Sequence, residues 1–192
     1  PAVGYWHVPG ACDRAGGSRK NIVEAAAVAA LIEEKRDHWL GECHGDHIEE
    51  VVAVVTPFRQ QALAIRKALK EALGSEAESI TVGTIHSLQG AQRPVIVFSG
   101  AYSAHQNNNV FFDETPNMLN VAVSRAEDHF FFVGDMDVIR ASNGPAKSFF
   151  KHLMSVGKPY SASWHCETMK RACETQWGER PGHDLSGITE HN

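Results

Sequence analysis

The sequence has no apolar run long enough to cross a bilayer. Its longest runs, Val51 to Val55 and Phe130 to Val133, fall far short of the roughly 20 residues that a transmembrane helix needs. The first residues, Pro1 to Trp6, show no basic segment followed by an apolar one, so no signal peptide is visible. The chain also begins without Met, and we expect it to be a piece of a longer protein.

Cysteine is scarce, and its spacing is not that of a metal site. None of the cysteines follows the C-x2-C and H-x3-5-H spacing of a zinc finger. Neither the segment from Cys43 to His47 nor the group His165, Cys166, Cys173 and His183 is predicted to bind a metal, and we interpret both as loop and tail residues. Scattered cysteines without an export signal favour reduced thiols and a cytoplasmic location. The four cysteines are Cys12, Cys43, Cys166 and Cys173.

Positive charge is not in excess. Lys and Arg number 18 against 23 Asp and Glu, which gives a net charge of −5. This balance excludes a domain whose whole surface is basic, but it leaves room for a local cationic groove. With 192 residues, 43% of them hydrophobic, the chain is expected to form one globular domain.

The apolar pattern alternates between strand and helix periods, which predicts an α/β fold with a parallel sheet covered by helices on both faces. We assign residues 1–155 to this domain and residues 156–192 to a tail of uncertain structure. The helix that begins near residue 21 has Ser18 or Asn21 as its N-cap. The predicted strands are Tyr5–Val8, Val51–Val55, Ser79–Val82, Pro94–Ser99 and His129–Val133. The predicted helices are Asn21–Arg36, Phe58–Leu73, Met118–Glu127 and Pro145–Met154.

Polar residues follow several of the predicted strands. The segments after the strands are 56–60, 83–90, 99–100 and 134–135, and they hold hydroxyls, amides, a histidine and glycines. Ligands of open parallel sheets bind at the carboxyl ends of the strands, so we expect one ligand-binding edge there. Asp135 is the acidic residue closest to a strand end, and we do not assign it a Mg²⁺ role.

Arg125 interrupts an apolar helical stretch. It has two interpretations from the pattern alone. Its guanidinium either projects into a cleft, where it suits a phosphate group, or pairs with Glu127 or Asp128 on the surface.

The sequence lacks the phosphate-binding pattern G-x-x-x-x-G-K-[ST]. The segment from Gly144 to Ser148 has a Lys-Ser pair but not the spacing, and Pro145 removes a backbone donor. The chain therefore has no phosphate cradle of its own.

Three segments in order carry a family resemblance. Residues 54–61, VVTPFRQQ, look like a segment of the form ITPY-x-x-Q. Residues 84–99, from Thr84 to Ser99, look like motif V, and residues 119–126, LNVAVSRA, look like motif VI. Asn21 to Ala25 matches an N-x-x-E-A pattern that opens a helix. Over residues 18–140 the chain thus resembles the second RecA-like domain of superfamily 1 helicases, a P-loop NTPase fold that here lacks its own Walker A motif.

The resemblance implies an ATP-dependent motor that moves along single-stranded DNA or RNA. Its ATP site would be shared with a missing N-terminal RecA-like domain, which would bring the Walker lysine and the Mg²⁺ ligands. Arg125 matches the arginine finger, and the fragment alone is predicted to be inactive. The resemblance places Gln89, Gly90 and Gln92 at the nucleotide and Thr56, Thr84 and His86 at the nucleic-acid backbone.

Two departures weaken the match to an active motor. Gln92 stands where motif V usually has Glu, and Tyr102 stands where many relatives have Arg. They motivate an alternative, a non-catalytic RecA-like module that binds nucleic acid or protein. A hydrolase built on His86 and Ser87 is disfavoured, because adjacent side chains on a turn rarely hydrogen-bond to each other.

Overall fold

The computed structural model describes residues 2–10, 12–15, 18–85, 92–103 and 117–160. Within this part of the chain, six parallel strands form one sheet in the order β5-β4-β6-β7-β1-β8, and β2 and β3 form a separate antiparallel hairpin. The strands are β1 (Ala2–His7), β2 (Asp13–Ala15), β3 (Ser18–Lys20), β4 (Val52–Thr56), β5 (Thr81–Thr84), β6 (Arg93–Ser99), β7 (Ala126–Gly134) and β8 (Lys158–Pro159).

Helices cover both faces of the sheet, so the predicted RecA-like α/β fold is confirmed. Alternate residues of β6 enter different cores, because successive side chains of a strand point to opposite faces. Val95 and Val97 pack with the first and third helices, whereas Ile96 and Phe98 pack with the last three helices. The helices are α1 (Ile22–Glu42), α2 (Ile48–Val51), α3 (Arg59–Leu73), α4 (Asn117–Val123), α5 (Met136–Ala141) and α6 (Pro145–Val156).

Helix α1 begins where the sequence predicts. Asn21 is its N-cap, with an extended backbone and a side-chain Oδ1 that accepts the Glu24 N–H at 3.1 Å. This bond satisfies one of the free donors of the first turn. The helix continues to Glu42, six residues beyond the predicted end at Arg36.

The predicted helix Met118–Glu127 is wrong at its C-terminal end. Helix α4 stops at Val123, and β7 already begins at Ala126, so that Glu127 and Asp128 lie in a strand. The cause is tertiary pairing, since Ala126 is the register partner of Arg93 at the start of β6. Glu127 and Asp128 are exposed, and their polarity hides the strand in the sequence.

Ordered structure also continues past residue 155. Helix α6 ends at Val156, and β8 then pairs with Gly4 and Tyr5 of β1. The sheet thus includes residues that the sequence interpretation assigned to the tail. Residues 161–192, which make up the rest of that segment, lie outside the described residues.

Candidate functional site

The described candidate residues lie at two opposite edges of the sheet. Thr56 and Thr84 are register partners at the carboxyl ends of β4 and β5. Gln92 and Arg125 directly precede β6 and β7, whose first residues pair with each other. Gln92 and Arg125 therefore lie at the amino edge, away from the carboxyl edge where the sequence predicts a ligand.

Arg125 lies in the turn between α4 and β7 rather than on the helix. Its backbone N–H donates to Ala122 at 3.2 Å, and its carbonyl accepts the Arg93 N–H at 3.1 Å. The side chain is half-buried, and its Nε is fully enclosed with no hydrogen-bond partner among the described residues. No ion pair joins it to Glu127 or Asp128, both of which belong to the described chain. The structure therefore does not contain the surface pair that was one of the two interpretations of Arg125.

Gln92 is exposed beside this turn. Its carbonyl accepts a hydrogen bond from the Arg93 guanidinium at 2.9 Å, while Arg93 Nε donates to the carbonyl of Glu49 at 3.1 Å. These two bonds of Arg93 stabilise the start of β6, and the Gln92 side chain remains in solvent. Gln89, Gly90 and His86 lie outside the described residues.

The two threonines of the carboxyl edge differ in exposure. Thr56 is fully buried, and its hydroxyl accepts the N–H of Phe58 at 3.4 Å, which shapes the turn into α3. Thr84 is half-buried. Of this pair, Thr84 presents the more accessible hydroxyl.

A buried polar network joins the carboxyl edge to the first turn of α1. Gln61 of α3 donates through Nε2 to the Asn21 carbonyl at 3.1 Å and to the Ser99 hydroxyl at 3.0 Å, and its Oε1 accepts the Asn21 N–H at 2.7 Å. The Ser99 hydroxyl donates to Glu24 Oε1 at 2.6 Å, and the Ala101 N–H donates to the same oxygen at 2.8 Å. The sequence contained each of these residues within a motif, but it gave no sign that they hydrogen-bond to one another.

Glu24 is the centre of this network and is fully enclosed. Burial raises the pKa of its carboxyl to about 8, although the hydrogen bonds from Ser99 and Ala101 act in the opposite direction. Its Oε2 has no hydrogen-bond partner among the described residues and lies 3.5 Å from where a Cβ on Gly134 would sit. Ala101, whose N–H is bonded to Glu24, has a positive φ of 53°. Residues other than glycine seldom adopt such a value.

Tyr102 belongs to an aromatic and cationic stack at the same edge. The Arg19 guanidinium lies 4.5 Å from the Tyr102 ring centre and 5.6 Å from that of Phe58, and the two rings meet edge to face at 5.7 Å. Arg19 comes from the β2–β3 hairpin. The stack therefore fastens the hairpin to the residues that follow β4 and β6, with a cation–π contribution from Arg19.

His7, Asp135 and Asp137 gather at the carboxyl ends of β1 and β7, close enough together to be compared with a metal site. Atoms of these residues that could bind a metal already have partners within the chain. His7 Nδ1 accepts the Met136 N–H at 3.0 Å, Asp135 Oδ1 accepts the Asp137 N–H at 3.0 Å, and Asp137 pairs with Arg140 at 2.8 Å. The group thus serves to cap α5.

Comparison with known proteins gives a consistent family. A family model described as "AAA domain" matches residues 5–137. The DNA polymerase alpha-associated DNA helicase A of Schizosaccharomyces pombe is 31% identical over 117 residues, which cover 56% of this chain and 17% of the relative. Helicase sen1 of the same yeast is 28% identical over 93 residues, with 48% and 6% covered.

The chain is also similar to a probable helicase from a plant. The probable helicase MAGATAMA 3 of Arabidopsis thaliana is 26% identical over 91 residues, which cover 47% of this chain and 11% of the relative. The chain therefore spans less than a fifth of the length of these relatives. Among the described residues, no helix combines the length and the apolarity needed to cross a membrane.

Proposed function

Because the chain belongs to the AAA domain family and has the fold of the C-terminal RecA-like domain of superfamily 1 helicases, we propose that it is the second motor domain of an ATP-dependent DNA or RNA helicase. In this proposal residues 84–99 are motif V and residues 119–126 are motif VI. The ATP site lies between this domain and an N-terminal RecA-like domain of the same protein. A cytoplasmic location is part of the same proposal.

The unpartnered Nε of Arg125 is the observation that carries the proposal. An enclosed nitrogen without an acceptor costs about 1–3 kcal/mol, so an acceptor from outside the described chain fits this position. A guanidinium suits a phosphate group, to which it donates several hydrogen bonds in a fixed planar geometry. We assign Arg125 the role of arginine finger, which stabilises negative charge on the γ-phosphate during transfer to water.

The residues around Arg125 fit the nucleotide as well. Gln92 is exposed one residue before β6, beside the turn that holds Arg125, and its amide is suited to hydrogen-bond a ribose hydroxyl. Gln89 and Gly90 precede it in the chain and complete the proposed ATP-binding segment. When bound with Mg²⁺, ATP supplies the phosphoryl group, and we expect the Mg²⁺ ligands in the N-terminal domain.

The carboxyl edge is the proposed path of the nucleic-acid strand. Thr84 offers a partly exposed hydroxyl there, Thr56 shapes the neighbouring turn, and His86 follows in the same segment. Contacts from such groups go to phosphate and sugar and carry little sequence information. We therefore propose a single strand of DNA or RNA as partner, bound without base specificity.

The test is the ATPase activity of the full-length protein. Arg125→Ala should lower kcat by about 10³-fold or more, whereas Arg140→Ala, which removes an exposed arginine paired with Asp137, should leave it unchanged. Robust ATPase activity of the 192-residue chain alone would contradict the shared site. Near-normal turnover of Arg125→Ala would favour the non-catalytic module instead.

A further inference from the structure

Helix α6 presents a row of positive charges with no acid among them. Lys147 and Lys151 are exposed one helical turn apart, and His152 is exposed next to Lys151. Residues 142–157 contain these two lysines and no Asp or Glu. We call Lys147, Lys151 and His152 the α6 basic surface.

On the opposite face of the sheet two cations of α1 and α3 are paired with acids, whereas Arg59 and Arg66 of α3 form no ion pair with described residues. On that side Arg36 binds Glu76 at 2.9 Å, and Lys70 binds Glu78 at 2.8 Å. The α6 basic surface has no ion pair with any described residue. The chain as a whole has a net charge of −5, yet no acid compensates the positive charge of this surface.

The stability of α6 does not explain these lysines. Lys147 lies in the first turn, which holds no acidic residue, and positive charge there opposes the helix dipole. Lys147 and Lys151 also repel each other, since like charges four residues apart on a helix are neighbours. Both effects favour an anionic partner for this surface.

Helix α6 is oriented so that its first turn lies towards the carboxyl edge of the sheet, the proposed path of the nucleic acid. It leads directly into β8, which is parallel to β1, so the helix runs back from the carboxyl edge of the sheet. Four strand spacings, about 19 Å, separate β5, which carries Thr84, from β1 across that edge. A single strand of nucleic acid that is bound along the carboxyl edge at Thr84 thus comes near Lys147 once it extends past β1.

We propose that the α6 basic surface binds the phosphate backbone of nucleic acid as a second contact, continuous with the strand path at the carboxyl edge. The inference rests on the proposed function for the nature of the polyanion. Lys147 and Lys151 are separated by about 6 Å along the helix, and the exposed Ser148 between them adds a hydroxyl of the kind that contacts phosphate. Contacts of this type are strongly salt-dependent and independent of base sequence.

The experiment measures binding of the 192-residue chain to fluorescein-labelled oligo-dT and oligo-U of about 20 nucleotides, by anisotropy at several KCl concentrations. The double variant Lys147→Glu, Lys151→Glu is compared with Lys67→Glu, Lys70→Glu, which makes the same charge change on the exposed face of α3. We expect the α6 variant to bind at least tenfold more weakly and to lose about two units of the slope of log K against log salt. The α3 variant should remain within about threefold of its parent. The double variant Lys147→Gln, Lys151→Gln should also bind the oligonucleotides more weakly, but with a smaller loss of affinity.

Several results would overturn the inference. One is equal loss in the α6 and α3 variants, which would show an effect of net charge alone. Another is unchanged binding in the α6 variants, or no binding of either oligonucleotide by the unchanged chain. Preferential binding of polyglutamate or of phosphatidylserine vesicles would assign the surface to an acidic protein or a membrane. Arg125→Ala should leave oligonucleotide binding unchanged, so failure here and failure of the ATPase test are separate outcomes.

Discussion

The Ser99 hydroxyl donates to the Glu24 carboxylate at 2.6 Å, although 75 positions separate the two residues in the chain. This contact ties the end of β6 to the first turn of α1. Through Gln61 the same network reaches the start of α3. The three segments that resemble helicase motifs near residues 21, 61 and 99 are thus joined by direct hydrogen bonds.

Glu24→Gln should flatten the pH dependence of stability. The pKa of Glu24 is raised to about 8 in the folded protein, above its unfolded value of about 4. Between these values the folded state holds one proton more than the unfolded state, so the free energy of unfolding falls as pH rises, by up to about 1.4 kcal/mol per unit. Urea unfolding from pH 5 to pH 8 measures this slope. Glu50→Gln, an exposed change on α2, should retain the slope; a variant Glu24→Gln with the parental slope would contradict the assignment.

Gln61→Ala should destabilise the chain by about 2–4 kcal/mol, because it removes three buried hydrogen bonds and leaves the buried Asn21 N–H without a partner. The neighbouring change Gln60→Ala serves as control and should cost less than about 1 kcal/mol, since the bond from Gln60 to the Ser18 hydroxyl comes from the backbone N–H, which Ala retains. Denaturant unfolding gives both values. Similar losses in the two variants would show that the network adds no stability.

Gly4→Ala should destabilise the sheet. A Cβ at Gly4 would lie 2.3 Å from the Phe131 ring, and overpacking of this kind typically costs about 1–3 kcal/mol. Gly41→Ala is the matched change, since nothing lies within 4 Å of its Cβ position, and in a helix it should stabilise by about 0.5–1 kcal/mol. Opposite shifts in Tm are expected; two shifts of the same sign would refute the packing argument.

Arg125→Met should stabilise the 192-residue chain, by up to about 1–3 kcal/mol, because it removes an enclosed nitrogen that lacks an acceptor. Its Nε makes no hydrogen bond among the described residues, and Met retains much of the aliphatic stem. Urea unfolding of the chain measures the change. A loss above about 2 kcal/mol would indicate a structural role for this arginine and would weaken its assignment as a finger.

The sequence predicted best where one local signal decided the structure. The β-branched run Val51–Val55 and the amphipathic pattern of α3 gave elements within about two residues of the observed ones. The end of α4 was missed because pairing of Ala126 with Arg93, a contact between distant residues, decides where β7 begins. The β2–β3 hairpin and β8 were missed because strands of two or three residues carry no periodic signal.

The candidate site was predictable in its residue types but not in its arrangement. Arg125 was identified from its motif, yet its position at the amino edge follows from the turn that leads into β7, which the sequence interpretation had placed within a helix. The network of Glu24, Gln61 and Ser99 depends on three residues meeting in space, and no spacing along the chain encodes that. Roles of Gln89, Gly90, Gln92, Thr56, Thr84 and His86 stay predictions.

Strand β6 connects the amino edge of the sheet directly to its carboxyl edge. It begins at Arg93, bonded to Arg125, and ends at Ser99, bonded to Glu24, so it spans about 20 Å between the two edges. Neighbouring strands hold it on both sides, and its central residues are enclosed on both faces. A strand held in this way shifts as a unit and does not stretch. Under the proposed function, a movement of a few tenths of an ångström at Arg125 would therefore reach the carboxyl edge of the sheet with its amplitude preserved, without any flexible joint between the two edges.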